Sequence, residues 1–311
     1  MIKTYVTGHN GMVGSAIIRE LKKHKNKREI ITESKESLDL TDQFKVNSYI
    51  KKIKPDEIII AAAKVGGIHA NSTYPAEFIY DNLTIASNLI HAAYTNNVKK
   101  LLYLGSSCIY PRESNQPIIE ESLLTGPLES TNEWYAISKI AGIKLCQAYR
   151  KQYNCNFISA MPTNLYGIQD NYHLQNAHVI PAIMHRAWIA KNNKRKELII
   201  WGSGNPTREF LFVDDLAKGC LFLLDNYSDD IPINIGTGIE ISIKELAKQI
   251  CDVVGFEGKL IFDETKPDGT PRKVVDVSKI NSLGWKAQTD LSDGLKISYD
   301  WFLRNYETLR K

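Results

Sequence analysis

The sequence predicts an α/β fold in which a doubly wound parallel sheet is followed by a smaller C-terminal α/β region. Short β-branched runs alternate with longer helical patterns through about residue 165, an order that implies βαβ crossovers and a parallel sheet. The run at 58–62 (IIIAA) is apolar at every position, as in strands that are covered on both faces. Beyond residue 165, turn-rich segments at 202–206 and 266–271 break this rhythm.

Each element of the first region follows from its local pattern. Strands are predicted at 2–7, 29–32, 57–62, 100–104 and 156–161, where β-branched and aromatic residues cluster between turn signals. Helices are predicted over 15–24, from a cap at Thr41-Asp42 to 53, from Pro75 to 97, and over 135–153. We expect a first domain at 1–165 and a second region at 166–311. Segments near 208–240 are expected to return to the first domain, with 210–213 and 233–235 as candidate strands of the main sheet.

The composition excludes several classes of protein. Of the 311 residues, 43% are hydrophobic and 24% are charged, as in an ordinary soluble globular protein. A net charge of +4 without long basic runs favours an anionic small molecule over nucleic acid as the partner. No apolar run approaches the roughly 20 residues of a membrane span, and no signal peptide precedes the first strand. Five scattered cysteines offer no zinc spacing, so we expect a reduced, cytoplasmic and metal-free protein.

A glycine-rich turn follows the first predicted strand directly. Residues 8–14 read GHNGMVG, in which Gly8 suits the tight turn, Gly11 the close approach of a pyrophosphate, and Gly14 the packing of helix on strand. A phosphate is stabilised at the positive end of such a helix. The candidate cofactor residues of this turn are Gly8, Asn10, Gly11, Met12, Val13 and Gly14. The pattern predicts a Rossmann-like dinucleotide site in the first domain.

The end of the second strand bears on which dinucleotide is bound. It reads Glu33-Ser34-Lys35. An acidic side chain here usually holds the ribose hydroxyl of NAD, whereas a basic one suits the extra phosphate of NADP. Lys35 can neutralise that phosphate, while Glu33 repels it unless the carboxylate points away. We predict that the cofactor is NADP(H), with Asp39 and Leu40 beside its adenine. The alternative that Glu33 and Lys35 are ordinary solvated loop residues stays open.

A serine, a tyrosine and a lysine form a candidate catalytic group. Ser106 lies just past the fourth strand, and Tyr135 and Lys139 are four residues apart on one face of a predicted helix. Reduction of a ketone by hydride leaves an alkoxide that needs a proton, which a tyrosine phenol can supply. A nearby ammonium lowers the phenol pKa from about 10, and a serine hydroxyl can polarise the carbonyl. We predict that Lys139 lowers the pKa of Tyr135 and also holds the nicotinamide ribose.

Longer motifs resemble one family closely. The glycine turn together with Ser106, Tyr135 and Lys139 is similar to the extended short-chain dehydrogenases/reductases that act on nucleotide sugars. Further segments, which together cover essentially the whole chain, narrow the resemblance to the GDP-L-fucose synthase family. These segments are 61–68 (AAAKVGGI), 106–111 (SSCIYP), 124–129 (LTGPLE), 161–167 (MPTNLYG), 208–210 (REF) and 268–273 (DGTPRK).

The resemblance implies an activity and a set of site residues. It implies an NADPH-dependent reduction of the C4 ketone of GDP-4-keto-6-deoxymannose after inversion at C3 and C5, with Cys108 as base and His178 as acid. It nominates Asn164, Arg186, Trp201, Arg208 and Lys273 for the GDP-sugar. The matching motifs extend the candidate cofactor site to Leu104, Gly105, Ser107, Pro162, Asn164, Leu165 and His178. The resemblance also implies a homodimer paired through the helices at about 75–97 and 134–153.

The inversion step depends on the state of one thiol. A thiolate at Cys108 is reactive only if its pKa falls below about 8.5, which a nearby imidazolium or Lys139 can cause. The alternative for Cys108 is a small buried apolar side chain, the usual environment of a free cysteine.

Three other functions stay open from the sequence. Trp134 and Ala177 replace the proline and serine usual in the family, and they adjoin Tyr135 and His178. These replacements leave open a C4 reductase without epimerase activity and a heptose as the substrate. Glu33 favours a nucleotide-sugar 4-epimerase or dehydratase that retains NAD. A non-catalytic dinucleotide sensor is the third alternative, and the intact Ser106, Tyr135 and Lys139 argue against it.

Overall fold

The computed structural model describes residues 1–23, 27–174, 176–266 and 268–309. The strands are β1 (Ile2–Thr7), β2 (Arg28–Ile31), β3 (Glu57–Ile60), β4 (Lys100–Leu104), β5 (Phe157–Pro162), β6 (Asn164–Tyr166), β7 (Glu197–Trp201), β8 (Thr207–Phe212), β9 (Ile233–Ile235), β10 (Glu240–Ser242), β11 (Lys259–Asp263) and β12 (Arg272–Lys273). The α-helices are α1 (Met12–Lys23), α2 (Gln43–Ile53), α3 (Ile68–Thr73), α4 (Pro75–Thr95), α5 (Glu133–Tyr153), α6 (Val179–Asn192), α7 (Val213–Asn226), α8 (Ile243–Val254), α9 (Ser278–Ser282) and α10 (Leu291–Asn305).

Six parallel strands form the main sheet in the order β2-β1-β3-β4-β5-β9. The predicted doubly wound parallel sheet is therefore confirmed. The chain leaves β1 towards β2 and then runs the other way from β3 onward, so the strand order reverses between β1 and β3. Such a reversal opens a crevice at the carboxyl ends of the strands, where α/β proteins bind ligands.

Helices cover both faces of this sheet, which is why most residues of its central strands are apolar and buried. One face packs against α2, α4 and α5, in a core that includes Val46, Leu89 and Ile143. The other face packs against α1 and α7, in a core that includes Ile17 and Leu216. Both cores hold residues that are completely buried, so the sheet is a rigid base for the loops at its carboxyl edge.

The second region has a core of its own. β8 pairs with β6, β10 and β12, and β7 pairs with β11. The helices α6, α8 and α10 pack on these strands through residues such as Ile183, Leu246 and Phe302. These short strands carry Asn164, Trp201, Arg208 and Lys273, which the sequence nominates for a sugar, and α6 carries Arg186.

Several predicted boundaries need correction. β1 and β4 have the predicted bounds, and Asp42 caps α2 by accepting from Lys45 N–H at 3.0 Å. The first helix begins at Met12, three residues before the predicted start. Gly14 therefore lies in the first turn of the helix, where its missing side chain lets the helix pack against Gly8 and His9. Residues 233–235 do join the main sheet as its edge strand, whereas residues 210–213 lie in β8 and the start of α7. His24 and Pro267, placed in a helix end and a turn, lie outside the described residues.

Among the residues that the structure describes, no helix combines the length and apolar character needed to cross a membrane.

Candidate active site

The glycine turn adopts the tight conformation that its sequence predicts. Gly8 has a φ of +70°, and a Cβ there would lie 2.8 Å from the main chain of Ala62. Gly11 N–H donates to the Gly8 carbonyl at 3.0 Å, and α1 begins at the next residue. A Cβ on Gly14 would overlap the main chain of Gly8 and His9, at 2.6 and 2.8 Å. The amino end of α1 therefore points at the crevice between β1 and β3.

The far end of this crevice carries the charges that distinguish the two dinucleotides. The Glu33 carboxylate accepts from Ser34 N–H at 3.1 Å and from the Tyr49 hydroxyl, so its charge is already engaged by the protein. Lys35 is exposed beside it. Asp39 accepts from Thr41 N–H at 2.9 Å and from the Thr41 hydroxyl, and these hydrogen bonds lower its pKa. Lys35 is thus an exposed cation in a loop whose carboxylates at Glu33 and Asp39 already accept hydrogen bonds from the protein.

Ser106, Tyr135 and Lys139 come together where β4 ends. Ser106 starts the short turn that follows β4 and accepts from Cys108 N–H at 3.3 Å. The Tyr135 hydroxyl interacts with the Ser106 side chain. Lys139 donates to the Leu104 carbonyl at 2.8 Å, and its ammonium lies 5.7 Å from the centre of the Tyr135 ring. The one-turn spacing on α5 brings both side chains to the same place, as predicted.

The acid–base properties of this group differ from the sequence expectation. Burial lowers the pKa of Lys139 to about 8. The pKa of Tyr135 is raised, by burial first and by the Cys108 sulfur second, against a smaller opposing effect of the Ser106 hydrogen bond. The predicted lowering of the Tyr135 pKa by Lys139 is wrong for this state, because desolvation outweighs the attraction and the ammonium is directed at the Leu104 carbonyl.

Cys108 has polar partners that the sequence did not reveal. Its sulfur accepts from Lys273 Nζ at 3.4 Å and from Asn132 Nδ2 at 3.5 Å. Burial opposes ionisation, but Lys273, Ser106 and Arg208 together bring the pKa of the thiol below its ordinary value. The expected source of this effect, Lys139 or an imidazolium, is therefore replaced by Lys273. Cys108 also lines a small open cleft, shared with Glu129, Thr270 and Lys273.

His178 immediately precedes α6. Its side chain is exposed, yet the protein around it desolvates the imidazole and lowers its pKa. The preceding segment is tied to the loop after β3, because Gly67 N–H donates to the Asn176 carbonyl at 3.2 Å. This contact holds the start of α6 next to the loop that borders the crevice.

The residues nominated for a sugar form two groups. Arg208 and Lys273 are paired in register on β8 and β12, and both act on Cys108. Arg186 lies 5.4 Å from the centre of the Trp201 ring, which is 50% exposed. Asp268 links the groups: it accepts from Ser203 N–H at 2.8 Å through its carboxylate, and from Arg208 at 3.4 Å through its carbonyl.

Asn164 and its neighbours lie at the junction of the two regions. Asn164 donates through Nδ2 to the Glu209 carbonyl at 2.8 Å, so its side-chain oxygen is the atom left to face a ligand. Pro162 ends β5, and Leu165 lies in β6. Asn132 and Glu129 were missed as site residues. Glu129 falls in a motif that resembles the family, but no local pattern points to Asn132.

A comparison with known families now decides the classification. The family model described as "NAD dependent epimerase/dehydratase family" matches residues 4–236. The chain belongs to this family. A putative GDP-L-fucose synthase 2 of Arabidopsis thaliana is 58% identical over 97% of this chain and 92% of its own length. The predicted resemblance to GDP-L-fucose synthases is thereby confirmed.

Solved structures of the same family have the same fold. A GDP-L-fucose synthetase from Naegleria fowleri bound to NADP is 31% identical, with a TM-score of 0.93 over 100% of this chain and 96% of that one. A GDP-mannoheptose C4 reductase from Campylobacter jejuni with NADP bound is 36% identical, with a TM-score of 0.88 over 97% of this chain and 98% of that one.

Proposed function

We propose that this chain is an NADPH-dependent enzyme that reduces the C4 ketone of a GDP-4-keto-6-deoxy sugar after inverting C3 and C5. The observation that carries the proposal is the meeting of Ser106, Tyr135 and Lys139 at the end of β4, with Cys108 two residues beyond Ser106. The named activities of its relatives, GDP-L-fucose synthesis and GDP-sugar C4 reduction, support this substrate class.

The glycine turn fits the phosphates of a dinucleotide. A Cβ on Gly11 would have only the Gly8 carbonyl oxygen near it, at 3.4 Å, so that face of the turn is open to a ligand. The first amide N–H groups of α1 lack partners within the helix and can donate to a pyrophosphate. Lys35 would neutralise the extra phosphate and Lys139 would hold the nicotinamide ribose. When bound, NADPH supplies the hydride for the ketone.

The reduction needs a proton as well as a hydride. Ser106 donates its hydroxyl hydrogen bond to the ketone oxygen and so polarises the carbonyl. Tyr135 gives its phenolic proton to the same oxygen as charge develops there. The resulting phenolate is stabilised by the Lys139 ammonium, which lies on its own helix one turn away. Lys139 is buried and Ser106 and Tyr135 are partly buried, which strengthens these interactions.

The inversion uses the acidity of carbons next to a ketone. Cys108 takes a proton from C3 or C5, and the electron pair of the C–H bond moves into an enolate with the neighbouring carbonyl. His178 returns a proton to the opposite face, which reverses the configuration. The sugar is held by Arg186, Trp201, Arg208 and Lys273, with Asn164 at the junction with the cofactor. The first domain thus binds the cofactor, and the region from residue 166 mainly binds the sugar.

A 6-deoxyhexose is the proposed sugar. The identity to the Arabidopsis synthase is 58%, against 36% to the heptose reductase. Trp134, a departure from the family pattern next to Tyr135, is 44% exposed at the start of α5, and Ala177, a departure next to His178, lies before α6. Neither replaces a member of the Ser106, Tyr135 and Lys139 group.

We also propose a cytoplasmic homodimer whose product serves surface polysaccharide synthesis. All five cysteines are free thiols, as expected in a reducing compartment. The helices α4 and α5 lie side by side and share an aromatic cluster in which Tyr94 stacks on Tyr153 at 4.3 Å. Tyr80 on α4 is 67% exposed. An exposed aromatic surface of this kind suits pairing with a second copy, which light scattering after gel filtration measures.

Incubation with GDP-4-keto-6-deoxymannose in deuterated water, first without and then with NADPH, tests the proposed activity. We expect deuterium at C3 and C5 before reduction, and then one NADPH oxidised for each sugar reduced. NADPH oxidation without deuterium would leave a C4 reductase only. Turnover by an enzyme that retains NAD and consumes no NADPH would establish the 4-epimerase or dehydratase instead. A parallel reaction with the GDP-4-keto heptose shows whether the enzyme prefers the hexose or the heptose as its substrate.

A further inference from the structure

The sulfur of Cys108 receives two N–H donors from parts of the chain that are distant in sequence. Lys273 Nζ lies 3.4 Å from it, and Asn132 Nδ2 lies 3.5 Å from it. A thiol is a weak acceptor, whereas a thiolate is charged and accepts well. Two donors that converge on one sulfur therefore favour the ionised form.

The backbone around Lys273 is held on both sides. Arg272 forms a bidentate ion pair with Glu240 of β10, with N–O distances of 2.6 to 3.0 Å. On the other side, Val274 N–H donates to Gln116 at 2.9 Å, and Val275 N–H donates to the buried carboxylate of Glu209 at 2.9 Å. These bonds fix the two-residue strand β12, so its lysine is presented to Cys108 rather than left free on a loop.

The charges that face Cys108 are mainly positive. Lys273 and Arg208 are the cations, and the neutral phenol of Tyr135 faces the sulfur from α5. Glu129 is the carboxylate of the same cleft, but it lies 3.6 Å from Arg112 and accepts from Thr270 at 3.4 Å. Burial raises the pKa of the other four cysteines, so Cys108 differs from them in kind.

We propose that Lys273 keeps Cys108 in its thiolate form before any substrate binds, with Asn132 orienting the sulfur. Lys273 is then a positioning residue that acts through Cys108. The thiolate takes the proton of the carbon next to the ketone and becomes a neutral thiol, while Lys273 keeps its own proton throughout. The thiol afterwards releases that proton to solvent, which restores the ion pair. The use of the thiolate as a base rests on the proposed function; the ion pair itself does not.

The ion pair is tested on the sugar-free protein by following the ultraviolet absorbance of the thiolate and the rate of iodoacetamide alkylation against pH. Lys273→Met and Lys273→Gln remove the charge, and Lys273→Arg keeps it. Cys108→Ser gives the background absorbance and alkylation that do not come from Cys108. Lys248→Met removes the same charge from an exposed position on α8. NADPH binding by each variant verifies that it is folded.

We expect both neutral variants to raise the Cys108 pKa by about one unit or more, and to slow alkylation at neutral pH by about tenfold. Lys273→Arg and Lys248→Met should stay close to the parent protein. An unchanged Cys108 titration in a folded Lys273→Met or Lys273→Gln protein would overturn the proposal while leaving the proposed function standing. With the keto sugar, the pH profile of deuterium exchange should shift upward in the same variants. Failure of the sugar reaction in the parent protein, with the thiolate titration as expected, would instead reject the proposed function alone.

Discussion

Replacing Gly14 with alanine should separate the helix from the glycine turn, whereas the same change at Gly11 should not. A Cβ on residue 14 would lie 2.6 Å from the Gly8 carbonyl carbon and 2.8 Å from His9 Cα, closer than real Cβ contacts allow. These atoms are backbone and cannot rotate away, and the Gly8 carbonyl oxygen is closer still, so α1 must move by about an ångström. Overpacking of this size costs about 1–3 kcal/mol, or roughly 1.5 °C of Tm per kcal/mol for a chain of this length.

Gly11 provides the matched control. A Cβ there meets only the Gly8 carbonyl oxygen, at 3.4 Å, and its φ is not left-handed, so Gly11→Ala should fold normally. The added methyl group would instead occupy the space that a pyrophosphate needs. We expect a Tm near that of the parent protein and an NADPH affinity at least about tenfold weaker, a loss of roughly 1.4 kcal/mol.

Thermal unfolding with and without NADPH separates the two effects. Gly14→Ala should lower the Tm of the free protein, and Gly11→Ala should remove most of the increase in Tm that NADPH causes. The reasoning is refuted if Gly14→Ala keeps the parent Tm, or if Gly11→Ala binds NADPH as well as the parent protein does.

Three further predictions concern the catalytic step, the pH dependence of stability and the binding of the sugar. Tyr135→Phe should lower turnover by about 10²–10⁴-fold and leave NADPH binding intact; steady-state kinetics and fluorescence titration check this, and undiminished turnover would contradict it. Burial raises the pKa of Asp170 to about 7, so the protonated carboxyl stabilises the fold below its unfolded pKa of about 4, and this contribution is lost as pH rises through 7. Asp170→Asn should therefore gain stability relative to the parent by about 4 kcal/mol above that pH and little below pH 4; equal differences at both pH values in urea unfolding would rule this out. Trp201→Ala should raise the KM for the GDP-sugar about tenfold with no change in NADPH affinity, and an unchanged KM would remove Trp201 from the sugar site.

Much of the main sheet could be predicted from the sequence because its signals are local. The strands β1 and β4 are short runs rich in β-branched, aliphatic and aromatic residues that end just before a glycine. Asp42 is a helix cap whose bond to Lys45 spans three residues. The partner of a strand is a different matter. Residues 210–213 are as apolar as a main-sheet strand, but they lie in β8 and the start of α7, and β8 pairs with β6, β10 and β12. Hydrophobicity predicts burial, and it does not say against which strand.

The site shows the same limit. Tyr135 and Lys139 lie together because one helical turn separates them, so their proximity follows from the sequence. Lys273 reaches Cys108 across 165 positions of the chain, on a strand of two residues, and no periodicity marks such a contact. The direction of the Tyr135 pKa also escaped prediction, because it depends on how deeply the phenol is buried and on where the lysine points. Local spacing identifies these groups, and tertiary structure sets their chemistry.

The most direct measurement of the central claim is the fate of hydrogen from the nicotinamide ring. NADPH that carries deuterium at the transferable position of C4 is supplied with the keto sugar, and the product is analysed by mass spectrometry and NMR. The account predicts one deuterium at sugar C4 with the parent enzyme and almost none with Tyr135→Phe. A product without deuterium at C4, or one formed while the labelled NADPH is unconsumed, would contradict it.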